Sequence, residues 1–312
     1  MIAPPLLALL LGCVINGDKY PRPRDLTPDW MVDRTRILGV RADPPEAVPG
    51  QVVTFQSLIG MPVGGEVELG VVWLACLVDP DAAWAFGCDL GAVDLTAPTP
   101  PGTTTTGAFA TGVIGFEPGI PPVYPVPDDA LDDLTDDEAL EGRYALIQVL
   151  ALPQDVLAEL SSGALAFEDV DFAVVESAYK RLIVSAAETP NHNPEIGAFT
   201  VEGAPIAAGA AVHVDPGQPY ELGLVLPDGT REVYAYQNSD GTEEERVEEP
   251  YASWFSTGGE LAETVTLWPY LQATWTAPEG VETGRWYAVL RDRRGGMSWF
   301  VQDWTTANPG SR

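Results

Sequence analysis

Two stretches of this chain repeat one local plan, and that plan restricts the fold more than any other feature. "VPGQVVTFQSLIG" (48–60) and "DPGQPYELGLVLPDG" (215–229) each place Pro-Gly-Gln ahead of an alternating apolar run. Pro-Gly is turn chemistry, and alternation with a period of two marks a strand with one buried face. In the second copy Tyr220, Leu222, Leu224 and Leu226 alternate, and Pro227-Asp228-Gly229 closes the run. Further correspondences follow in the same order. Trp73 in "VVWLAC" matches Trp254 in "YASWFSTGG", and "EGRYALIQV" (141–149) matches "TGRWYAVLR" (283–291). Gly50 and Gly142 lie 92 residues apart, whereas Gly217 and Gly284 lie 67 apart, so the first copy carries extra loop material.

No long stretch of 3.6-residue period is present, and the 29 prolines and 31 glycines mostly separate short apolar runs. Each half offers about seven short strands with turn signals between them, the pattern of a sandwich. The predicted fold is all-β: two tandem immunoglobulin-like β-sandwich domains, the first with a Pro/Thr-rich loop insertion and short helices. The expected division is a signal peptide over 1–12, a lipid-anchored tether over 13–32, and a first domain over 33–188 with its insertion at 79–141. A linker over 189–196, a second domain over 197–305 and a tail over 306–312 follow. Within the insertion, "TAPTPPGTTTTG" and "PGIPPVYPVP" are expected to be loop. Thr135 and Glu138 form a capping box with Gly142 after the helix end, and a second helix is expected over 154–162, ending at Gly163. "AVLRDRRGGMSWFVQDW" (288–304) predicts a hairpin with Gly295-Gly296 at its tip, and resembles the last hairpin of PKD and related immunoglobulin-like modules.

The amino-terminal apolar run, Met1 to Ile15, is shorter than the roughly 18–20 residues of a membrane span and suits the apolar part of a secretory signal. Leu10-Leu11-Gly12-Cys13 resembles the lipobox of bacterial lipoproteins: an apolar residue, a small residue at the cleaved bond, then the cysteine that takes the lipid. That resemblance implies an acylated Cys13, a covalent diacylglyceryl or acyl lipid in place of any cofactor, and a polar Pro-rich tether, "VINGDKYPRPRDLTPD", behind it. Val14 is not the aspartate that retains enteric lipoproteins in the inner membrane, so the resemblance implies the bacterial outer membrane, on its periplasmic or surface face. With Cys13 lipidated, Cys76 and Cys88 remain as a pair around a short loop. A disulfide there contributes about 3 kcal/mol in the chain-entropy account, and an exported protein permits it.

Taken together, the lipobox, "RTRILGVRADPPEAVPGQ", the Trp-x-x-Cys strand, "NHNPEI" and "VLRDRRGGMSW" resemble predicted surface lipoproteins of myxobacterial and related delta-proteobacterial type, with tandem immunoglobulin-like domains. The resemblance implies fold and location and carries no catalytic residues.

Forty-six acidic against 16 basic residues give a formal charge of −30, which excludes a nucleic-acid partner. Neither His192 nor His213 has an evident orienting partner. No Gly-x-Ser-x-Gly elbow, phosphate loop or His-Glu-x-x-His occurs, so an enzyme is not expected. The acidic run around Asp128 and Asp129 offers calcium candidates in Asp132, Asp133, Asp136 and Asp137, but it lacks EF-hand spacing and the mid-loop glycine. A helix with these acids outward and Leu131 and Leu134 inward is the preferred account, and "NSDGTEEERVEEP" (238–250) is expected to be a second acidic loop. Arg291, Arg293 and Arg294 form a basic spot, either paired with Asp292 or Asp303 or facing an acidic glycan or a partner's carboxylates. Its six tryptophans from Trp254 to Trp304 suit a sandwich core better than a sugar-stacking surface. The expected function is a non-catalytic envelope lipoprotein presenting its domains for binding or adhesion to an unknown protein or glycan. A structural subunit of a periplasmic or outer-membrane assembly is the alternative, and a cryptic hydrolase the third.

Overall fold

The computed structural model describes residues 27–65, 67–76, 112–166, 169–171, 174–207, 209–237, 242–280 and 282–306. Its first half runs β1 (Arg36–Asp43), β2 (Glu46–Ala47), β3 (Val52–Gly60), β4 (Leu69–Cys76), β5 (Gly112–Glu117), β6 (Val123–Pro125), α1 (Asp136–Glu141), β7 (Arg143–Pro153), α2 (Gln154–Ser162) and β8 (Glu176–Val184). Its second half runs β9 (Ala198–Val201), β10 (Ala204–Pro205), β11 (Val212–Val214), β12 (Pro219–Val225), β13 (Val233–Gln237), β14 (Glu243–Val247), β15 (Tyr251–Ser256), β16 (Glu260–Leu261), β17 (Val265–Leu267), β18 (Gln272–Thr276), β19 (Thr283–Arg291) and β20 (Met297–Thr306).

The chain is all-β, built as two sandwiches of immunoglobulin-like class. In the first, the sheet β1-β3-β6 faces the sheet β2-β8-β7-β4-β5. In the second, β10-β9-β12-β18-β16 faces β11-β20-β19-β15-β17. Both five-stranded sheets containing the Trp strand have one plan: a short parallel pair at one edge (β2 on β8, β11 on β20), then antiparallel pairs through the Gly-Arg-aromatic strand to the Trp strand. The Pro-Gly-Gln turns also make the same bonds. Gly50 N–H donates to the Val126 carbonyl and Gly217 N–H to Pro278; Gln51 N–H reaches Val48 and Gln218 N–H reaches Asp215. Both glycines have positive φ, +80° and +68°, a conformation that a side chain disfavours. The sequence repeat is therefore a structural repeat.

Each sandwich has its own core. Phe55, Trp73, Tyr124, Ile147, Val149 and Leu182 fill the first. Phe199, Trp254, Trp275, Trp286 and Trp304 dominate the second. The strands β7 and β19 are buried along nearly their whole length because both faces of each are covered. On β7, Leu146, Leu150 and Leu152 pack under Leu157 and Leu160 of α2. On β19, Tyr287 and Val289 pack against Val32, Leu38 and Leu58, joining the two sandwiches through a second apolar cluster.

Three expectations from the sequence are corrected. "PPVYPVP" is not all loop: β6 pairs with β3, and Tyr124 is fully buried. Proline is tolerated there because β6 is an edge strand, and Pro125 ends it. The acidic run is not one helix, because residues 128–134 form turns. The helix starts only after Thr135, whose extended backbone (φ −71°, ψ 162°) and capping box with Glu138 set the boundary. Leu131 is nevertheless buried beneath the first sandwich. The acidic stretch after residue 241 is a strand, β14, which pairs with β13 in a ribbon setting Tyr234 opposite Arg246 and Tyr236 opposite Glu244. The helix α2 has the expected bounds, with Gly163 left-handed at its end.

Candidate functional site

The tip of the β19–β20 hairpin, Asp292 to Gly296, is where the sandwiches meet through polar groups. Asp292 is 1% exposed. One carboxylate oxygen accepts the backbone N–H of Arg294 (2.7 Å) and of Gly296 (2.9 Å), which holds the turn. The other accepts the Asn191 side-chain amide (2.8 Å). Asn191 is itself buried, and its backbone N–H donates to Glu46 (2.8 Å), whose other oxygen accepts the Ser185 hydroxyl. Asn193 spans the same gap, donating to the Ala42 carbonyl (2.8 Å) and accepting the Met297 N–H (2.9 Å). The segment joining the sandwiches is thus clamped on both sides. Gly296 lies so close to Asp292 and the His192 carbonyl that a β-carbon would sit 2.0 Å from the carboxylate.

Arg294 and Lys180 supply the positive charge. The Arg294 guanidinium, 19% exposed, reaches Glu248 (3.1 Å), Glu232 (3.2 Å) and Glu46 (3.6 Å), and lies 4.5 Å from the centre of the Tyr234 ring. Lys180, from β8 of the first sandwich, donates to the Gly295 carbonyl. Its burial pushes it down to about 8, opposed by nearby Asp292. Four carboxylates (Glu46, Glu232, Glu248, Asp292) share these two cations. Burial, with Asp292 and Glu232 adding repulsion, pushes Glu248 up to about 7 against the pull of Arg294.

These shifts define two pH windows. Folded Glu248 holds its proton above the ordinary 4.5, so its contribution to stability falls as pH rises from 4.5 to about 7. Folded Lys180 loses its proton below the ordinary 10.5, so its contribution rises between about 8 and 10.5. The seam is expected to be weakest between about pH 7 and 8. Unfolding curves across pH should show Glu248→Gln flattening the acid-side slope and Lys180→Met flattening the alkaline one. Parallel profiles for all three proteins would disprove the assignment.

The basic spot expected at the hairpin is split. Asp303 pairs with Arg285 (2.8 Å), not with the hairpin arginines, and Asp292 serves the turn backbone. Arg291 donates to the Ser253 hydroxyl and the Leu38 carbonyl. Arg293, with a left-handed backbone (φ 73°), is exposed. Beside it opens a cleft of about 560 Å³ between this tip and the β13–β14 ribbon, lined by Arg231, Tyr234, Arg246, Glu249 and Arg293 over Asp292.

Elsewhere, Asp132, Asp133, Asp136 and Asp137 are all exposed. Arg143 takes Asp133 at 2.8 Å and holds its carboxyl below the usual range. Among the described residues, no three His, Cys, Asp or Glu side chains converge as a metal site. Both histidines are at the surface, His192 against Glu232 (2.7 Å) and His213 in β11. Cys13 and Cys88 lie outside the described residues, and Cys76 ends β4. No helix among the described residues is long and apolar enough to cross a membrane.

Sequence reasoning missed the interdomain seam, although one signal was present: "WYAVL" is continuous rather than alternating, as a strand covered on both faces should be, and its second face is the one the seam buries. The similarly continuous "YALIQVLAL" is covered by α2 of its own sandwich.

No protein-family model matches this chain, and no curated protein matches it. Among solved structures it is similar to the D00-D0 domain of intimin, at 8% identity over 88% of this chain and 99% of that one (TM-score 0.22). It is similar also to murine CEACAM1b, at 8% identity over 88% and 100% (TM-score 0.23). A third is Escherichia coli alpha-2-macroglobulin in its native conformation, at 12% identity over 88% and 17% (TM-score 0.23). The fold assignment rests on the strand pairings above and not on these scores.

Proposed function

We propose that this protein is a non-catalytic binding protein of the bacterial envelope, held by a lipid on Cys13 and presenting two joined immunoglobulin-like sandwiches to a protein or glycan. The observation that carries this reading is what the buried charged groups do. Asp292, Glu46, Arg294 and Lys180 are spent on joining the sandwiches: Arg294 reaches Glu46, Lys180 reaches the Gly295 carbonyl, and Asp292 and Glu46 both hold Asn191 of the joining segment. Of these only Asp292 also borders an open cleft, and its oxygens there are taken by the turn amides and Asn191, whereas a catalytic site aims free groups at its cavity. The lipobox-like Leu10-Leu11-Gly12-Cys13 and the Pro-rich tether support anchoring. Cys76 and Cys88 form the remaining pair, joined as a disulfide.

Expression in a bacterial host tests anchor and staple together. The protein is expected in the membrane fraction, and Cys13→Ser is expected in the soluble fraction. Unreduced mass spectrometry of the mature protein should show an acylated amino terminus at Cys13 and no free thiol. Membrane retention of the Cys13→Ser variant would refute the anchor, and free thiols at Cys76 and Cys88 would refute the disulfide.

A further inference from the structure

Carboxylates outnumber basic groups almost threefold in this chain, so an arginine without one needs a reason. Most described arginines have a carboxylate partner: Arg34, Arg41, Arg143, Arg246, Arg285 and Arg294 all do. Arg36 turns to the Asp29 and Met31 carbonyls. Arg231, Arg291 and Arg293 also have no carboxylate at ion-pair distance among the described residues, and these three belong to the same corner of the second sandwich. Each is set near an aromatic ring instead. Arg231 lies 4.6 Å from the centre of the Trp268 ring, and Arg291 and Arg293 lie 5.8 and 6.0 Å from that of Tyr251. A ring supports the flat face of a guanidinium and leaves N–H groups at its edge available.

Arg231 and Arg293 line the 560 Å³ cleft together with Arg246. The cleft's own carboxylates are accounted for. Asp292 is committed to Asn191 and the turn, and Glu244 takes Arg246. Glu249 alone remains, exposed in the wall. Guanidinium forks match planar carboxylates in two-point contacts.

We infer that this cleft binds the carboxylate-bearing sugars of an acidic polysaccharide, with Arg293 and Arg231 holding uronate groups. This rests on the binding-protein reading above and names its ligand class. The cleft volume falls within the range of small-ligand sites, enough for a short stretch of glycan.

Calorimetric titration of the whole protein with a galacturonic acid tetramer tests it, using the methyl ester of the same tetramer and inorganic phosphate as controls. The free acid is expected to bind, and the ester and phosphate are not. Losing one charged hydrogen-bonding group should weaken binding about tenfold in Arg293→Gln. Arg293 is exposed and makes no other polar contact among the described residues, so the unfolding temperature of the variant should be unchanged. Removing the like charge in Glu249→Gln should strengthen binding, a sign that a merely structural role would not produce. Added salt should weaken it. No binding of the free acid, equal binding of the ester, a preference for phosphate, or an unaffected Arg293→Gln would each overturn the assignment. Failure here with Cys13 still lipidated removes the ligand and leaves the anchored binding protein. Failure of the anchor leaves the cleft titration unaffected.

Discussion

Asp292→Ala is expected to cost about 3–5 kcal/mol, the range for removing one partner of a buried charged group while the other stays behind. Three donors lose their acceptor at once: the Arg294 and Gly296 amides and the Asn191 side chain. Lys180, fixed to the Gly295 carbonyl, also loses the nearby charge that opposes its desolvation. The loss should be read by urea unfolding. Hydrogen exchange should place it, with protection falling at residues 189–194 and 292–296 before the sandwich cores respond. Asp292→Asn separates charge from shape. It can keep one oxygen on the turn amides, but its amide then faces the Asn191 amide, donor against donor. An intermediate loss is expected. A cost below about 1 kcal/mol for alanine would mean the seam is not a structural joint.

Trp286→Ala is the second large effect, at about 3–5 kcal/mol for a fully buried aromatic. Its indole is edge-on to Trp275 at 4.8 Å, stacked near Phe199 at 6.1 Å, and 6.3 Å from Trp304. Truncation would leave a cavity ringed by rigid aromatics that cannot collapse into it. Trp286→Phe gives a sharper test. The Trp286 indole N–H has no hydrogen-bond partner among the described residues, so phenylalanine removes an unsatisfied donor along with some volume. Its cost should be well under half that of alanine in the same unfolding measurement. Equal costs would show that the N–H is satisfied or that volume alone decides.

How much of this was visible in the chain can be stated residue by residue. The Pro-Gly-Gln turns, the Trp73 and Trp254 strands and the two Gly-Arg-aromatic strands hold corresponding places in the two sandwiches, although Trp73 pairs with Val149, six residues past Arg143, and Trp254 with Ala288, three past Arg285. Turn chemistry and period-two alternation are local, so a single sequence carries them. The capping box at Thr135 and the stop at Gly163 were legible for the same reason. The ribbon β13–β14 was not. Its acidic residues hid a strand whose pairing partner lies several residues away across the 238–241 stretch.

The candidate site divides along the same line. Arg291, Arg293 and Arg294 stand out in an acidic chain, and their order in sequence shows a basic spot. Their roles differ because of neighbours far along the chain: Glu46, Glu232 and Glu248 for Arg294, Leu38 and Ser253 for Arg291, and none of these for Arg293. Local sequence determined the strands, turns, caps and the repeat, because each depends on residues within a few positions of one another. Only the tertiary structure decided that Lys180 and Asn191 meet the hairpin tip, that Tyr287 and Val289 bury against Leu38 and Leu58, and that two arginines with no carboxylate partner among the described residues face one cleft. Those residues lie many tens to hundreds of positions apart, where charge balance and burial are settled by which surfaces the fold brings together.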